Sequence, residues 1–238
     1  MRINEAIALV TPQVVLVPYR CMLLLFWFVG THRPPPARKK HVHRYHEWMK
    51  SPELREQTAS EPLTLAEEYD MQAKWRLDED KLTFIILPRL EIGAKEPCET
   101  SVAQIDALPM VGDVNIFLIR NEDIENGVEI EVEVMIAEAA YRKRGLAYAA
   151  VSTLLRYASS SEIIRDDDGS TRPATLSMFV VRIGASNLAS IGLFNKLGFV
   201  VTKPANVFGE IEMRLGTDAP IPWLDAPIEF IDYPLELE

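Results

Sequence analysis

Cysteine is nearly absent from this 238-residue chain. Cys21 and Cys98 form no disulfide framework and no metal-ligand spacing, so a reducing compartment is expected. A membrane-length apolar run is missing too. The strongest, 21–29, falls far short of the ~20 residues that a bilayer needs. It is no convincing secretory signal either, because Pro18, Tyr19 and Arg20 interrupt its approach and no small-residue cleavage site precedes Thr31-His32-Arg33-Pro34. Positive charge is in deficit: 25 Lys and Arg stand against 35 Asp and Glu, a formal net charge of −10. General nucleic-acid binding needs a basic surface, which argues against that class. His41, His43 and His46 lie close together but lack a partnering Cys or carboxylate pattern, so no metal is expected. These absences predict a cytosolic protein, nuclear access left open, with neither membrane nor nucleic acid as partner.

What is present suits one globular core and a tail. A β-branched run at 14–17 stops at Pro18 and reads as a first strand. Tyr45, Trp48 and Met49 fall at helical spacing, Ser51-Pro52 opens a short helix, and Thr64 with Glu67 forms a capping box for a helix to about Leu77. The apolar run 82–87 reads as a strand buried on both sides. A long irregular loop over 88–109 follows, then strands at 111–119 and 128–136 joined through Asn126-Gly127. A helix over 146–159, a polar loop at 166–169, a strand at 175–183, a helix over 187–197 and strands at 199–201 and 210–215 complete the pattern. This order predicts a mixed α/β fold around a single central sheet.

Two segments stand apart. Residues 21–40 join an apolar block to Pro34-Pro35-Pro36 and Arg38-Lys39-Lys40, and continue neither helix nor strand. Residues 216–238 are rich in Asp, Glu and Pro without Lys or Arg, and are expected to be an acidic, flexible tail.

The most informative stretch is Arg142-Lys143-Arg144-Gly145-Leu146-Ala147, between a strand and a helix. A strand turning through glycine into a helix leaves backbone N–H groups unpaired at the positive end of the helix dipole, a phosphate-sized anion site. On this hexapeptide alone, an ordinary connection with solvated charges is equally consistent.

Arg142-x-x-Gly145-x-Ala147 resembles the acetyl-CoA motif of the GCN5-related N-acetyltransferase superfamily, and Asn187-x-x-Ser190-x-x-Leu193-Phe194-x-Lys196-Leu197-Gly198-Phe199 resembles its second motif. The chain is more closely similar to the N-acetyltransferase 9 family, in the branch resembling ribosomal-protein alanine acetyltransferases. The stretches that carry this are 14–19, Arg44-Tyr45-His46-Glu47-Trp48-Met49-Lys50-Ser51-Pro52-Glu53-Leu54, 58–64, Met110-Val111-Gly112-Asp113-Val114-Asn115 and 131–138. The resemblance covers 1–20 and 41–215 and implies a GNAT-like α/β domain there, with about six to seven strands flanked by helices. Residues 21–40 then become an atypical insert, for which a retained intron or gene-model error is the first reading and a lineage-specific loop the second. Continuous spliced transcripts encoding them would contradict the first.

The resemblance implies acetyl-CoA-dependent transfer to an amine, with a protein N-terminus, tubulin's included, as the expected acceptor. A small-amine acetyltransferase and a non-catalytic acyl-CoA-binding or microtubule-associated module remain alternatives. Glu131 takes the place where several relatives carry a general base. Glu129, Glu131 and Glu133 alternate with apolar residues and share one strand face, where crowded like charges are expected to raise carboxylate pKa values. Glu131, then Glu133, are therefore the candidate bases. The family pattern further implies that Met135, Ile136 and Ala137 line the pantetheine arm. The backbone of Lys143, Arg144, Gly145, Leu146 and Ala147 would hold the pyrophosphate, with Arg142 and Arg144 as supporting charges. Asn187, a helix N-cap in its own right, matches a pantetheine-binding residue, and Ser190 is a further cofactor or capping candidate. Phe194 stands in the cofactor motif where many relatives have a tyrosine general acid, which leaves that role without a residue.

Overall fold

The computed structural model describes residues 3–20, 40–89, 100–120, 124, 127–216, 221 and 223–234. The insert at 21–40, apart from its last residue, lies outside the described residues, as do both cysteines, the middle of the 88–109 loop and Asn126 of the expected turn.

The chain opens with β1 (Ile7–Val10) and β2 (Val14–Pro18), and continues through α1 (Lys40–Met49), α2 (Pro52–Gln57) and α3 (Leu65–Leu77). Then come β3 (Lys81–Pro88), α4 (Val102–Asp106), β4 (Gly112–Arg120), β5 (Val128–Ile136) and α5 (Leu146–Ser160). A small hairpin, β6 (Ile164–Arg165) and β7 (Thr171–Arg172), precedes β8 (Phe179–Gly184), α6 (Leu188–Leu197), β9 (Phe199–Lys203), β10 (Glu210–Leu215) and β11 (Glu229–Asp232). Nine strands form one sheet in the order β11-β1-β2-β3-β4-β5-β8-β10-β9. The architecture is the expected mixed α/β sheet flanked by helices, with more strands than the six or seven foreseen.

The local reasons are legible in the residues. Thr64 and Glu67 close a reciprocal capping box on α3, and Ser51 caps α2 ahead of Pro52. All eight residues of β3 are buried, because helices cover both faces of the sheet. On one face α5 buries Leu146, Ala150, Val151, Leu154, Leu155 and Ala158 at helical spacing against Ile130 and Val132 of β5. On the other, α1 places Val42, Tyr45, Trp48 and Met49 over Val15, Val17 and Ile85. The polar loop expected at 166–169 is the turn of the β6–β7 hairpin, and a single 3-10 turn (Leu176–Met178) takes the start of the strand expected from 175.

The two added strands are the edge pair β1–β11. Far from a flexible tail, residues 223–233 are tied down: β11 runs antiparallel to β1, Trp223 and Tyr233 are buried, and Trp223 Nε1 donates to Leu197 O at 2.9 Å. Arg20 donates to the carbonyls of Tyr233 (2.5 Å) and Pro234 (3.0 Å), and the Tyr233 hydroxyl bonds Asp106. Both acidic residues of β11 and Phe230 stay exposed, Ile231 is half-buried, and the buried aromatics Trp223 and Tyr233 flank the strand, so mean composition concealed the order. Among the described residues, no helix is long and apolar enough to cross a membrane, and no group of three His, Cys, Asp or Glu side chains is placed to hold a metal.

Candidate active site

The sheet is held unevenly around β5. On one side β5 pairs with β4 along its whole length, from Gly112↔Ile136 to Arg120↔Val128. On the other it pairs in parallel with β8 only at Ile130↔Phe179 and Glu131↔Val180. Beyond Glu131 the two strands part, so the backbone of 132–136 that faces β8 has no ladder partner there. Parallel strands that separate toward their C-terminal ends form a crevice of the kind that α/β folds use for ligands. Gly112 lets β4 stay tight against β5 at this end: a Cβ there would lie 1.9 Å from Met135 O.

The basic turn sits where β5 ends. Lys143 (φ 60°) and Gly145 (φ 81°) both take left-handed backbone, and Gly145 is the N-cap of α5 without any side-chain cap. The first helical bond runs from Ala149 N–H to Gly145 O at 3.0 Å, so the preceding N–H groups have no intrahelical acceptor. Unpaired N–H groups, left-handed turn residues and the positive dipole end make an anion cradle. Lys143, Arg144 and Gly145 are exposed, Ala147 is half-buried, and Leu146 belongs to the core.

Arg142 has a different setting from the one expected of a supporting charge. Its Nε donates to Ile136 O at 2.9 Å, and its Nη1 lies 3.6 Å from Glu53 of α2. Arg144 stacks on Tyr141 at 5.3 Å. Arg142 therefore ties the end of β5 to the helical cover. Glu138 does the same from the next turn, accepting from Trp48 Nε1 (2.6 Å) and Arg44 on α1. Sequence reading assigned Glu138 nothing; the signal was its place at the end of a glutamate-bearing strand beside a tryptophan-bearing helix.

Met135 and Ile136 point to opposite faces, Met135 into the α1 side with Ala137 packed near it, and Ile136 against the α5 side. Asn187 follows the end of β8 and caps α6, accepting from Ser190 N–H at 3.1 Å. With α6 packed on α5, both motifs come to the same end of the sheet. Phe194 is 3% exposed and meets Phe199 edge-to-face at 5.1 Å, so its ring fills the core.

The three strand glutamates share a face, as alternation requires, but they are not equivalent. Arg182 of β8 donates to Glu131 (2.7 Å) and Glu129 (3.1 Å). Arg214 bonds Glu129 and Glu212, and Lys203 reaches Glu212 at 2.9 Å. Burial would raise the Glu129 carboxyl, yet the Arg214 and Arg182 guanidiniums outweigh it and hold it below its usual value. Opposite charge, not like-charge crowding, governs that end of the strand.

Glu133 lies past the point where β8 departs, makes no ion pair among the described residues, and is exposed to solvent beside a wall of protein. Desolvation by that wall, with Glu131 and Asp113 acting in the same sense against Lys81, pushes its carboxyl up to about 7. The helical cover here is aromatic: Tyr45 meets Tyr19 at 5.4 Å, Trp48 at 6.1 Å and Trp75 at 6.3 Å. A half-open cleft with a near-neutral carboxylate, an aromatic wall and an anion cradle at its end is equipped to take a proton from a cation held near an anionic ligand.

A sequence model of the GNAT acetyltransferase domain matches residues 33–200. The mouse alpha/beta-tubulin-N-acetyltransferase 9 is 41% identical over 92% of this chain and 75% of its own length. An N-acetyltransferase 9-like protein of Nematostella vectensis is 37% identical over 92% of this chain and 90% of its own. Among solved structures, the microcin C7 self-immunity acetyltransferase in complex with acetyl-CoA and AMP superposes with a TM-score of 0.52 at 10% identity, over 85% of this chain and 92% of that one. The chain is an N-acetyltransferase and belongs to the GNAT acetyltransferase family, among the N-acetyltransferase 9-like proteins.

Proposed function

We propose that the protein transfers an acetyl group from acetyl-CoA to the N-terminal α-amine of a protein, with a tubulin-type N-terminus as the acceptor class. The observation that carries this reading is the β5–β8 crevice, which ends on the uncapped, left-handed turn at Lys143 and Gly145. The residues fit such a donor: free N–H groups for a pyrophosphate, unladdered strand backbone for an amide-bearing arm, and Asn187 at the opposite lip. Bound there, acetyl-CoA supplies an activated thioester carbonyl. The acceptor is supported by the relatives whose names specify tubulin.

Glu133 is the base, ahead of Glu131. Its carboxylate accepts the proton of the incoming ammonium, directly or through one water, and leaves a neutral amine in the cleft. Glu131 is held by Arg182 and maintains the strand pair beside it. Tyr45, Trp48 and Trp75 wall the cleft against solvent, and Glu138 and Arg142 hold that wall to the end of β5. Orientation of two reactants supplies most of such an acceleration.

The test is an acetylation assay on peptides with a free α-amine, matched peptides with only a lysine amine, and a polyamine panel, read by mass spectrometry. Acetylation confined to the α-amine supports the reading. Preferential turnover of polyamines, or none of any acceptor, contradicts it.

A further inference from the structure

The stretch Gly112-Asp113-Val114-Asn115 carries part of the family resemblance, yet the site above uses only its glycine. On β4 it sets Asn115 directly opposite Glu133 and Asp113 directly opposite Met135, all on the face of the cleft. Asn115 Nδ2 donates to Asp113 Oδ2 at 2.6 Å, and both residues are buried. One strand further on, Thr83 stands opposite Asn115, and Lys81 lies two residues before it with its ammonium over the rings of Trp75 (2.9 Å) and Phe117 (4.3 Å). Asp113 Oδ1, Asn115 Oδ1 and Thr83 Oγ1 are buried without a hydrogen-bond partner among the described residues. A buried carboxylate with an unpaired oxygen is costly, and a sheet interior built for stability alone would not keep it.

We propose that Asp113, oriented by Asn115 and opposed by Lys81, is a positioning residue for acetyl transfer. It acts through Glu133, one strand away, and tunes the proton affinity of that carboxylate. The proposal rests on the reading of Glu133 as the base. The ionisable groups around Asp113 come from every element packed on it. Those that feel its charge are Tyr45 of α1, Lys81 of β3 and Glu133 of β5; behind them, Tyr19 and Glu68 act on Tyr45, Asp78 on Lys81, and Glu131 on Glu133. Burial drives the Tyr45 hydroxyl well up, so it stays neutral, and raises Glu68 to about 7. Burial also lifts Asp113 to about 6, against the Asn115 bond and Lys81, so Asp113 is largely charged at neutral pH. Its charge makes Glu133 a stronger base, while Lys81 makes it a weaker one. Two neighbours of opposite sign thus bracket one catalytic carboxylate.

The experiment is the pH profile of kcat/KM for peptide acetylation in the full chain, for wild type, Glu133→Gln, Asp113→Asn and Lys81→Met. Each variant is first checked for an acetyl-CoA-induced thermal shift. The acidic limb is expected to move to lower pH in Asp113→Asn and to higher pH in Lys81→Met, each by ~0.5 unit. A limb in Asp113→Asn that coincides with wild type overturns the proposal. If Asp113→Asn does not fold, the double variant Asp113→Asn/Lys81→Met is compared with Lys81→Met. A lower limb in the double variant supports the role, and coincidence overturns it. The acceptor's own α-amine, with a pKa of about 8, leaves one limb common to all four proteins. A second limb near pH 7 that persists unchanged in Glu133→Gln refutes the base assignment, and so separates failure of the parent reading from failure of this one.

Discussion

At the scale of single residues, the difference between Glu131 and Glu133 decides the chemistry. They are two positions apart on one strand, and alternation cannot distinguish them. What separates them is Arg182, which sits on β8 and reaches back only as far as Glu131 and Glu129. Glu133→Gln is expected to lower kcat by roughly 10²–10⁴-fold with acetyl-CoA affinity unchanged, as loss of a general base does. Glu131→Gln should lower activity less and thermal stability more, because it leaves Arg182 short of a partner; steady-state kinetics with melting curves check both. Wild-type kcat/KM should climb with pH through about 7, following Glu133.

Glu68 carries a second pH signature, on stability. It is 1% exposed on α3, and burial raises its carboxyl from 4.5 to about 7. Between those values the folded state binds more protons than the unfolded one, so stability falls as pH rises through the window. Glu68→Gln removes that dependence. The melting temperature of the variant relative to wild type should therefore rise between pH 5 and pH 8, as scanning calorimetry would show; a constant offset would contradict the assignment.

At the scale of elements, the site is a pair of strands that part and a turn that follows. Gly145→Ala forces a Cβ into left-handed backbone at a cost of about 1–2 kcal/mol, although among the described residues none beyond its own chain neighbours lies within 4 Å of the added carbon. The expected result is an acetyl-CoA affinity reduced about 5–30-fold with folding retained, measured by calorimetric titration. Gly112→Ala is different in kind, because its Cβ would overlap the Met135 carbonyl and push β4 from β5. It should cost at least ~1–3 kcal/mol of stability and weaken cofactor binding with it. The turn was readable from sequence because its causes are local: a glycine, basic neighbours, a strand before and a helix after. The crevice was not, since it depends on where β8 leaves β5, and their paired residues are some fifty positions apart. The contacts of Arg142 were not readable for the same reason. Its partners, Ile136 O and Glu53, are brought to it by the fold and not by the motif.

At the scale of the molecule, the C-terminal segment closes the far edge of the sheet. An acidic, proline-rich composition suggested flexibility, and it hid two aromatic residues that the core claims, Trp223 and Tyr233. Ending the chain after residue 216 removes both, together with β11 and the Arg20 contacts. A buried aromatic is worth about 3–5 kcal/mol, so the melting temperature should fall by at least ~6 °C. β11 is separated from β5 by β1, β2, β3 and β4, but Trp223 bonds α6 and Tyr233 packs in the cluster of Tyr19, Tyr45 and Trp48, so activity per folded molecule should fall in part and persist at low temperature. The central claim is transfer through the β5–β8 crevice with Glu133 as base. It is tested most directly by mass spectrometry of a free-N-terminus peptide after incubation with acetyl-CoA and either wild type or Glu133→Gln. The account predicts one acetyl group on the α-amine with wild type, dependent on acetyl-CoA, and almost none with the variant. Equal acetylation by the two proteins would contradict it.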